Sequence, residues 1–145
     1  MSNVYEYAKI TNVARDSSYT YSAVQKLCTR KPAQKGPYIL RTYAVTASND
    51  CNAMFNRVTL APVSVAVAAG SSATFMSYKS GIITLTQCPA NSVDHAVLVV
   101  GYDANKNWKI QNSWGTTWGV QGYAWLTFGN TCNICRYGGY YSTLV

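Results

Sequence analysis

The stretch "VDHAVLVVGYD", residues 93–103, decides the fold, because it places the chain's one histidine, His95, at the start of an apolar, strand-like run. The turn-like tetrapeptide "ANKN", residues 104–107, follows, and the chain continues as "WKIQNSWGTTWGVQGY", residues 108–123. Two such runs on either side of a short polar turn are typical of an antiparallel β-hairpin. The sequence therefore predicts a hairpin with His95 at the start of its first strand.

The register of this hairpin determines which side chains meet. We expect Asp103 to pair with Trp108 across the turn, which puts Asn112 opposite Val99 and roughly 13 Å along the strand from His95. The two polar groups then share a face without contact, and a β-bulge or strong coiling would be needed to join them. The residues expected on this face are His95, Val97, Val99, Trp108, Ile110, Asn112 and Trp114.

The rest of the chain predicts a short helical start followed by strands. Residues 4–14 have helical character, with Tyr7, Ile10 and Ala14 on one side. Cap-type residues at 48–50 precede a second helical pattern, which Pro62 ends. The strand-like segments are residues 38–45, 63–69, 95–103, 108–114, 123–128 and 137–145. A helical start that leads into an antiparallel β half predicts the α+β class.

Composition limits the classes of function. The 145 residues are 48% hydrophobic and 12% charged, which is typical of one globular domain and argues against disorder. No apolar run approaches the roughly 18–20 residues of a membrane span, so we expect none. The net charge of +7 comes from scattered basic residues without the interleaved motif of a nucleic-acid module. We therefore expect no nucleic acid among the partners.

Five cysteines are many for a domain of this size and indicate disulfides. The odd number leaves at least one thiol free or paired outside this chain. The spacing of "CNIC", residues 132–135, fits a redox site or half a zinc site, but no second pair follows and His95 is the only imidazole. We expect no metal and no cofactor. The cysteines are Cys28, Cys51, Cys88, Cys132 and Cys135.

The N-terminus conflicts with these disulfides. Residues 1–12, "MSNVYEYAKITN", contain neither the basic n-region nor the apolar h-region of a secretory signal. Two explanations stay open: either the cysteines remain reduced, or this chain is not the whole gene product.

Five segments in order carry a resemblance to a known family. They are "PVSVAVAA", "SYKSGI", "VDHAVLVVGYD" with Cys88 before it, "WKIQNSWGTTWGVQGYAWL" and "GNTCNIC". Together they resemble the papain-like cysteine peptidases, the family of papain and cathepsin L. The resemblance implies that residues 36–145 form the family's right-hand, antiparallel, β-barrel-like domain, and that residues 1–35 are a helical and loop remnant of the left half.

The resemblance also implies roles for four residues. His95 matches the general base that activates a cysteine thiolate, and Asn112 matches the residue that orients its imidazole through a side-chain carbonyl. Trp114 would cover this hydrogen bond from water, and Trp118 would pack at the rim on the leaving-group side. These roles are chemically consistent with peptide hydrolysis, because a thiolate–imidazolium pair is nucleophilic near neutral pH.

The family's nucleophile does not match any cysteine of this sequence. It belongs to a Cys-Gly-Ser-Cys-Trp-type segment, whereas Cys28 lies in "VQKLCTRKP" and Cys51 in "NDCNA", both without the flanking Gly and Trp. We expect a peptidase homologue that is inactive alone and acts as a binding or structural subunit. The alternative is the His/Asn-bearing chain of a two-chain or truncated cysteine endopeptidase. Both interpretations predict a protein partner over the face left by the missing half, and the second adds a peptide substrate.

Further expectations follow from the resemblance alone. Cys88 and Cys132 match the family's right-domain disulfide, while the usual partner of Cys28 lies in the missing part. Cys51 and Cys135 have no family counterpart, and a bridge from Cys28 to Cys51 stays open. Tyr137 lies near the point where the family closes its specificity pocket and would make that pocket shallow. The resemblance implies a lysosomal or secreted protein, although residues 1–12 do not have the pattern of a secretory signal.

Overall fold

The computed structural model of the chain describes residues 1–11, 13–27, 40–88 and 92–143. The chain divides into two compact units, one of Met1–Tyr43 with Ser142–Val145 and one of Ala44–Tyr141. The boundary predicted after residue 35 lies outside the described residues and stays a prediction. Among the helices within the described ranges, none is long and apolar enough to cross a membrane.

The first unit contains the helix α1, Ser2–Ile10, and a short 3₁₀ turn, Asp16–Ser18. The helix was expected to reach Ala14, but it stops at Ile10. Thr11 ends it with an extended backbone, and both its N–H and its hydroxyl donate to the Tyr7 carbonyl at 2.9 Å. A β-branched residue whose hydroxyl competes for the helical carbonyl favours such a stop.

The described strands form one mixed, open sheet. In spatial order the strands are β1 (Thr42–Val45), β7 (Tyr140–Thr143), β2 (Val63–Val67), β4 (His95–Tyr102), β5 (Trp108–Gln111), β6 (Tyr123–Leu126) and β3 (Ile82–Ile83). Antiparallel pairs join β2 to β7, β2 to β4, β4 to β5 and β5 to β6, and a parallel pair joins β3 to β6. The expected α+β class is confirmed, although the sheet is not closed and contains this parallel pair.

Two helices of the second unit begin at side-chain caps. The helix α2, Cys51–Val58, begins at Asp50, whose carboxylate accepts from the Ala53 N–H at 2.8 Å as the cap-type residues predict. The four-residue helix α3, Ala73–Met76, begins at Ser72. It lies between the strand-like segments 63–69 and 95–103, where no element was predicted.

The core lies under one face of the sheet in the second unit. Alternate residues of β2, namely Val63, Val65 and Val67, are fully buried, and the intervening residues are partly exposed. Each such side chain contributes about 1.5–3 kcal/mol through burial. Phe75 of α3 and Trp108 of β5 are also fully buried. The strand predicted over residues 63–69 is confirmed over Val63–Val67.

Two disulfides cross this unit. Cys88–Cys132 is present, so the pairing implied by the family resemblance is confirmed. Cys51 is bonded to Cys135, so the bridge from Cys28 to Cys51 that was left open is wrong. The two cysteines of "CNIC" belong to different disulfides, which leaves neither for a redox pair or a zinc site. Cys28 itself lies outside the described residues.

Candidate active site

The backbone around β2 and β4 fixes the position of His95. His95 pairs with Val67 in the antiparallel ladder, and the N–H of Asp94 donates to the Val67 carbonyl at 3.1 Å. The Asp94 carboxylate accepts from the N–H of Ala69 at 2.8 Å and from that of Gly70 at 3.0 Å. These bonds tie the start of β4 to the end of β2. They explain why a half-buried histidine can be held at the start of a central strand.

The hairpin has a β-bulge between Val99 and Gly101. On the turn side of this bulge Trp108 pairs with Tyr102, and beyond it Val99 pairs with Ile110. The expected pairing of Asp103 with Trp108 is therefore wrong. A bulge places two residues of one strand opposite one of the other and so shifts the register beyond it by one.

The shifted register brings the two polar side chains together. Leu98 pairs with Gln111, so one step further along the strands Asn112 reaches the level of Val97 and lies diagonal to His95. His95 Nε2 is 2.8 Å from Asn112 Oδ1. The common face was predicted from the alternation. The contact depended on the bulge, which the sequence analysis named as a requirement but did not locate.

The hydrogen bonds of Asn112 identify its oxygen and the protonated nitrogen of His95. The backbone N–H of Ser113 donates to Asn112 Oδ1 at 2.8 Å, and because an N–H can only donate, that atom must be the amide oxygen. The same oxygen can only accept from His95, so Nε2 carries a proton. In the neutral ring, Nδ1 is then the basic nitrogen. The amide nitrogen of Asn112 is buried with no partner among the described residues.

Aromatic rings surround the imidazole. The Trp114 ring centroid is 4.7 Å from that of His95 with a tilt of 32°, and Trp114 is 41% exposed, so it lies between the ring and solvent. Trp118 is buried, and its Nε1–H donates to the Phe75 carbonyl at 3.1 Å. The Phe75 ring centroid lies 5.8 Å from that of Trp114, in an edge-on arrangement, and 5.4 Å from that of Trp118. All four residues singled out from the sequence therefore lie at one place.

Phe75 and Asp94 are parts of this site to which the sequence analysis assigned no role. Phe75 is fully buried beneath both tryptophans and lies 6.4 Å from the His95 ring. Its sequence context, a short capped helix, carries no signal that separates it from ordinary core residues. Asp94 was visible as the residue before His95, but its backbone partners come from β2 and the loop after it, which no local pattern reveals.

The turn after Trp118 depends on close backbone packing. Gly119 has a φ of +60°, and a Cβ there would collide with the Tyr123 carbonyl and touch the Tyr78 ring. The Tyr78 ring lies 5.6 Å from Trp118, and burial raises the pKa of its hydroxyl, which donates to the Gly81 carbonyl. The second glycine of "NSWGTTWG" is therefore required by the backbone that supports the site.

Within the described part of the chain, every cysteine is in a disulfide. The same residues contain no group of three or more His, Cys, Asp or Glu side chains that would hold a metal ion. The arrangement can accept and return a proton at Nδ1 of an oriented imidazole. The described residues provide no thiol for that imidazole to activate.

The comparisons with known proteins show the family of the chain. A family model described as papain family cysteine protease matches residues 1–141, so the chain belongs to the papain family of cysteine proteases. Human cathepsin L2 is 36% identical over 97% of this chain and 45% of its own length. The putative cathepsin L 3 of Paramecium tetraurelia is 34% identical over 93% of this chain and 42% of its own length. The chain thus spans less than half of these relatives, and the resemblance inferred from the motifs is confirmed.

Solved structures confirm the papain fold. The bromelain protease from Ananas comosus in complex with the E64 inhibitor has a TM-score of 0.82 and 28% identity, over 97% of this chain and 67% of that chain. The cysteine protease CMS1MS2 of Carica candamarcensis in complex with E-64 has a TM-score of 0.82 and 30% identity, over 96% of this chain and 65% of that chain. About one third of each solved chain therefore lies outside the match.

Proposed function

We propose that this chain is the base-bearing part of a cysteine peptidase active site and that a companion polypeptide segment supplies the nucleophilic thiol. The observation that carries the proposal is the 2.8 Å contact between His95 Nε2 and Asn112 Oδ1, which leaves Nδ1 as the basic nitrogen. A histidine kept only for packing would not need a fixed tautomer. The family membership and the names of the relatives support peptide bonds as the substrate class.

The reaction follows from the assigned protonation. The companion's thiol gives its proton to His95 Nδ1, and the thiolate attacks the carbonyl carbon of the scissile peptide bond, forming a C–S bond. As the C–N bond breaks, the imidazolium returns that proton to the leaving amine. The imidazole then takes a proton from water, which attacks the thioester and releases the acid and the thiol. Asn112 holds the ring in one tautomer, and Trp114 shields its hydrogen bond.

The chain by itself is inactive in this proposal. Its described cysteines are oxidised, and its sequence lacks the Cys-Gly-Ser-Cys-Trp-type segment. Removal of the nucleophile abolishes the covalent step, so binding and proton transfer cannot complete the reaction.

A binding or structural subunit is the second candidate function. The observation that favours it is the pairing of all four described cysteines, which makes the β unit stable without any thiol chemistry. In that role the geometry around His95 would be inherited without being used, and the partner would carry no nucleophile.

The test compares the chain produced alone with the chain purified from its own cells. We expect no hydrolysis of a fluorogenic peptide by the isolated chain, and hydrolysis by the native complex that iodoacetamide abolishes. His95→Ala should lower the rate of the complex by about 10²–10⁴-fold, the usual contribution of a general base. Leu60→Ser, at a 74% exposed position after α2, is the control and should leave the rate unchanged. Equal rates for His95→Ala and the wild-type complex would support the structural role instead.

A further inference from the structure

The two disulfides of the second unit meet in the tetrapeptide "CNIC", residues 132–135. Cys132 is bonded to Cys88, and Cys135 is bonded to Cys51. The family resemblance accounts for the first bridge and gives the second no counterpart. C-x-x-C is a spacing at which two cysteines can bond to each other, so the chain has a further pairing open to it, Cys132 with Cys135. While both bridges are intact, that bond cannot form.

The bonded cysteines differ in their exposure to solvent. Cys88, Cys132 and Cys135 are 0% exposed, whereas Cys51 at the start of α2 is only partly buried. In thiol–disulfide exchange the attacking thiolate must have access to one sulfur of the bond. A small thiol in solution therefore has access to the bridge of Cys51 and none to the bridge between the two buried residues. Its attack on the Cys51 sulfur releases Cys135 as the thiolate.

The backbone of the tetrapeptide has a conformation that is unfavourable for cysteine. Cys132 has a φ of +55° and Asn133 a φ of +59°, both in the left-handed region. Such a backbone persists in a side chain other than glycine only where the surroundings hold it. Here the two bridges hold it, together with the Cys135 N–H, which donates to Asn130 Oδ1 at 2.9 Å. Opening one bridge removes one of these constraints and lets the turn rearrange.

We propose that "CNIC" is a thiol–disulfide exchange site, at which a small thiol that opens the bridge of Cys135 thereby also opens that of Cys132. The sulfur of the small thiol bonds to Cys51, the Cys51–Cys135 bond breaks, and Cys135 is left as a thiolate. This thiolate attacks Cys132, so that the Cys132–Cys135 bond forms, the bond to Cys88 breaks, and the Cys88 thiolate takes a proton from water. A second small thiol then displaces Cys51 from the mixed disulfide. Two small thiols are thus oxidised to one disulfide, and the protein retains one of its two.

The exchange acts on the backbone that holds His95. The Cys132 carbonyl accepts from the Ala68 N–H at 2.8 Å, and Cys88 Sγ lies 3.5 Å from the carbonyl of the same residue. Ala68 directly follows Val67, which pairs with His95 in the antiparallel ladder. Release of Cys88 therefore changes the contacts at the end of the strand that positions the imidazole. The small thiol acts on the candidate active site without binding there.

The test compares two variants that remove the same bridge and leave different thiols. Both are made with Cys28→Ser, so that every remaining cysteine belongs to the exchange. Cys51→Ser leaves Cys135 free beside Cys132, whereas its matched control, Cys135→Ser, leaves Cys51 free. Free thiols are blocked with N-ethylmaleimide in acidic denaturant, and the bonds are mapped by peptide mass. We expect at least about tenfold more blocked Cys88 in the first variant than in the control, because only the first has a thiolate within the turn.

The chain with both bridges intact provides a measurement that does not depend on how these variants fold. It carries Cys28→Ser alone and is treated with reduced glutathione in less than the amount that opens both bridges. We expect blocked Cys51 and Cys88 together with a Cys132–Cys135 bond. Blocked Cys51 and Cys135 with the other bridge intact would overturn the proposal, as would equal amounts of blocked Cys88 in the two variants.

The ring signals of His95 report whether the exchange reaches the candidate active site. Because the chain has one histidine, its ¹H–¹⁵N signals can be followed in the same glutathione titration. They should shift in proportion to blocked Cys88 and stay at their original positions in the control Cys135→Ser. Unshifted signals in the presence of the new bond would refute the effect on His95. None of these measurements depends on hydrolysis, so the exchange site is tested separately from the proposed base.

Discussion

At the residue scale, the Asn112 amide determines how the His95 ring can be used. A carboxylate at this position would pull the ring toward the imidazolium form, whereas a neutral amide orients it without adding charge. The oxygen of Asn112 accepts from both His95 Nε2 and the Ser113 N–H, so the amide itself cannot rotate freely. The Ser113 N–H thus fixes the Asn112 amide, and that amide fixes the tautomer of His95.

Replacement of Asn112 by Ala should release this tautomer. Because His95 is the only histidine of the chain, the imidazole nitrogens are identified without assignment in a ¹H–¹⁵N long-range NMR spectrum. We expect the wild type, when neutral, to show the Nε2–H form alone, and Asn112→Ala to show both tautomers. A mixture in the wild type, or an unchanged spectrum in the variant, would contradict the assigned hydrogen bond. The measurement needs no companion and is independent of activity.

At the element scale, the β4–β5 hairpin contains a bulge in β4 and a turn that is held by hydrogen bonds to Asp103. One carboxylate oxygen accepts from the N–H groups of Asn105 and Asn107 at 2.9 Å, and the other accepts from Asn107 Nδ2 at 2.8 Å. An aspartate that accepts from backbone donors two and four residues ahead fixes a tight loop. The turn thereby holds the register that places Asn112 beside His95.

Stability should depend on the ionisation of Asp103. The hydrogen bond from the Asn107 side chain, followed by those from the backbone, lowers the pKa of its carboxyl in the folded state. The stabilisation is therefore complete above the unfolded pKa of about 3.9 and is lost as pH falls through the lower folded value. We expect Asp103→Asn to lower the melting temperature at pH 7, and the difference from the wild type to shrink as pH falls below about 3.9. A constant difference between the two curves from pH 7 to pH 2 would show that ionisation is not involved.

The sequence predicts most elements of this sheet and misses specific local features. Binary alternation identifies β2, β4 and β5 and the face shared by His95 and Asn112, since burial imposes a period of two on each strand. The bulge between Val99 and Gly101 has no periodic signal, because one extra residue changes the pairing without changing the alternation before it. The helix α3 is only four residues long, too short for a helical period to show.

At the scale of the whole molecule, the two units differ in what stabilises them. The second unit contains the valine-lined core and both disulfides, whereas the described residues of the first bury only Ala8. The amino-acid composition is an average over both units, so it indicates one ordinary globular domain. The contrast appears only in the burial of individual side chains, which composition does not record. Stability of the second unit should accordingly be measurable without any contribution from the companion.

Loss of the Cys51–Cys135 disulfide should destabilise the second unit as a whole. This bridge spans 84 residues, and closing a loop of that size removes enough unfolded-state entropy to contribute up to about 4 kcal/mol. The bridge joins α2 to the segment after β6, so its removal should affect β2, β4 and β5 together. We expect the double variant Cys51→Ser, Cys135→Ser to unfold at lower urea concentration, as measured by tryptophan fluorescence. Its m-value should be higher than that of the wild type, because the unfolded chain without the cross-link exposes more surface. Amide exchange should rise throughout those strands, while the amides of α1 should exchange at the wild-type rate. A variant that loses protection in α1 but not in the strands would show that the bridge acts outside the unit it spans.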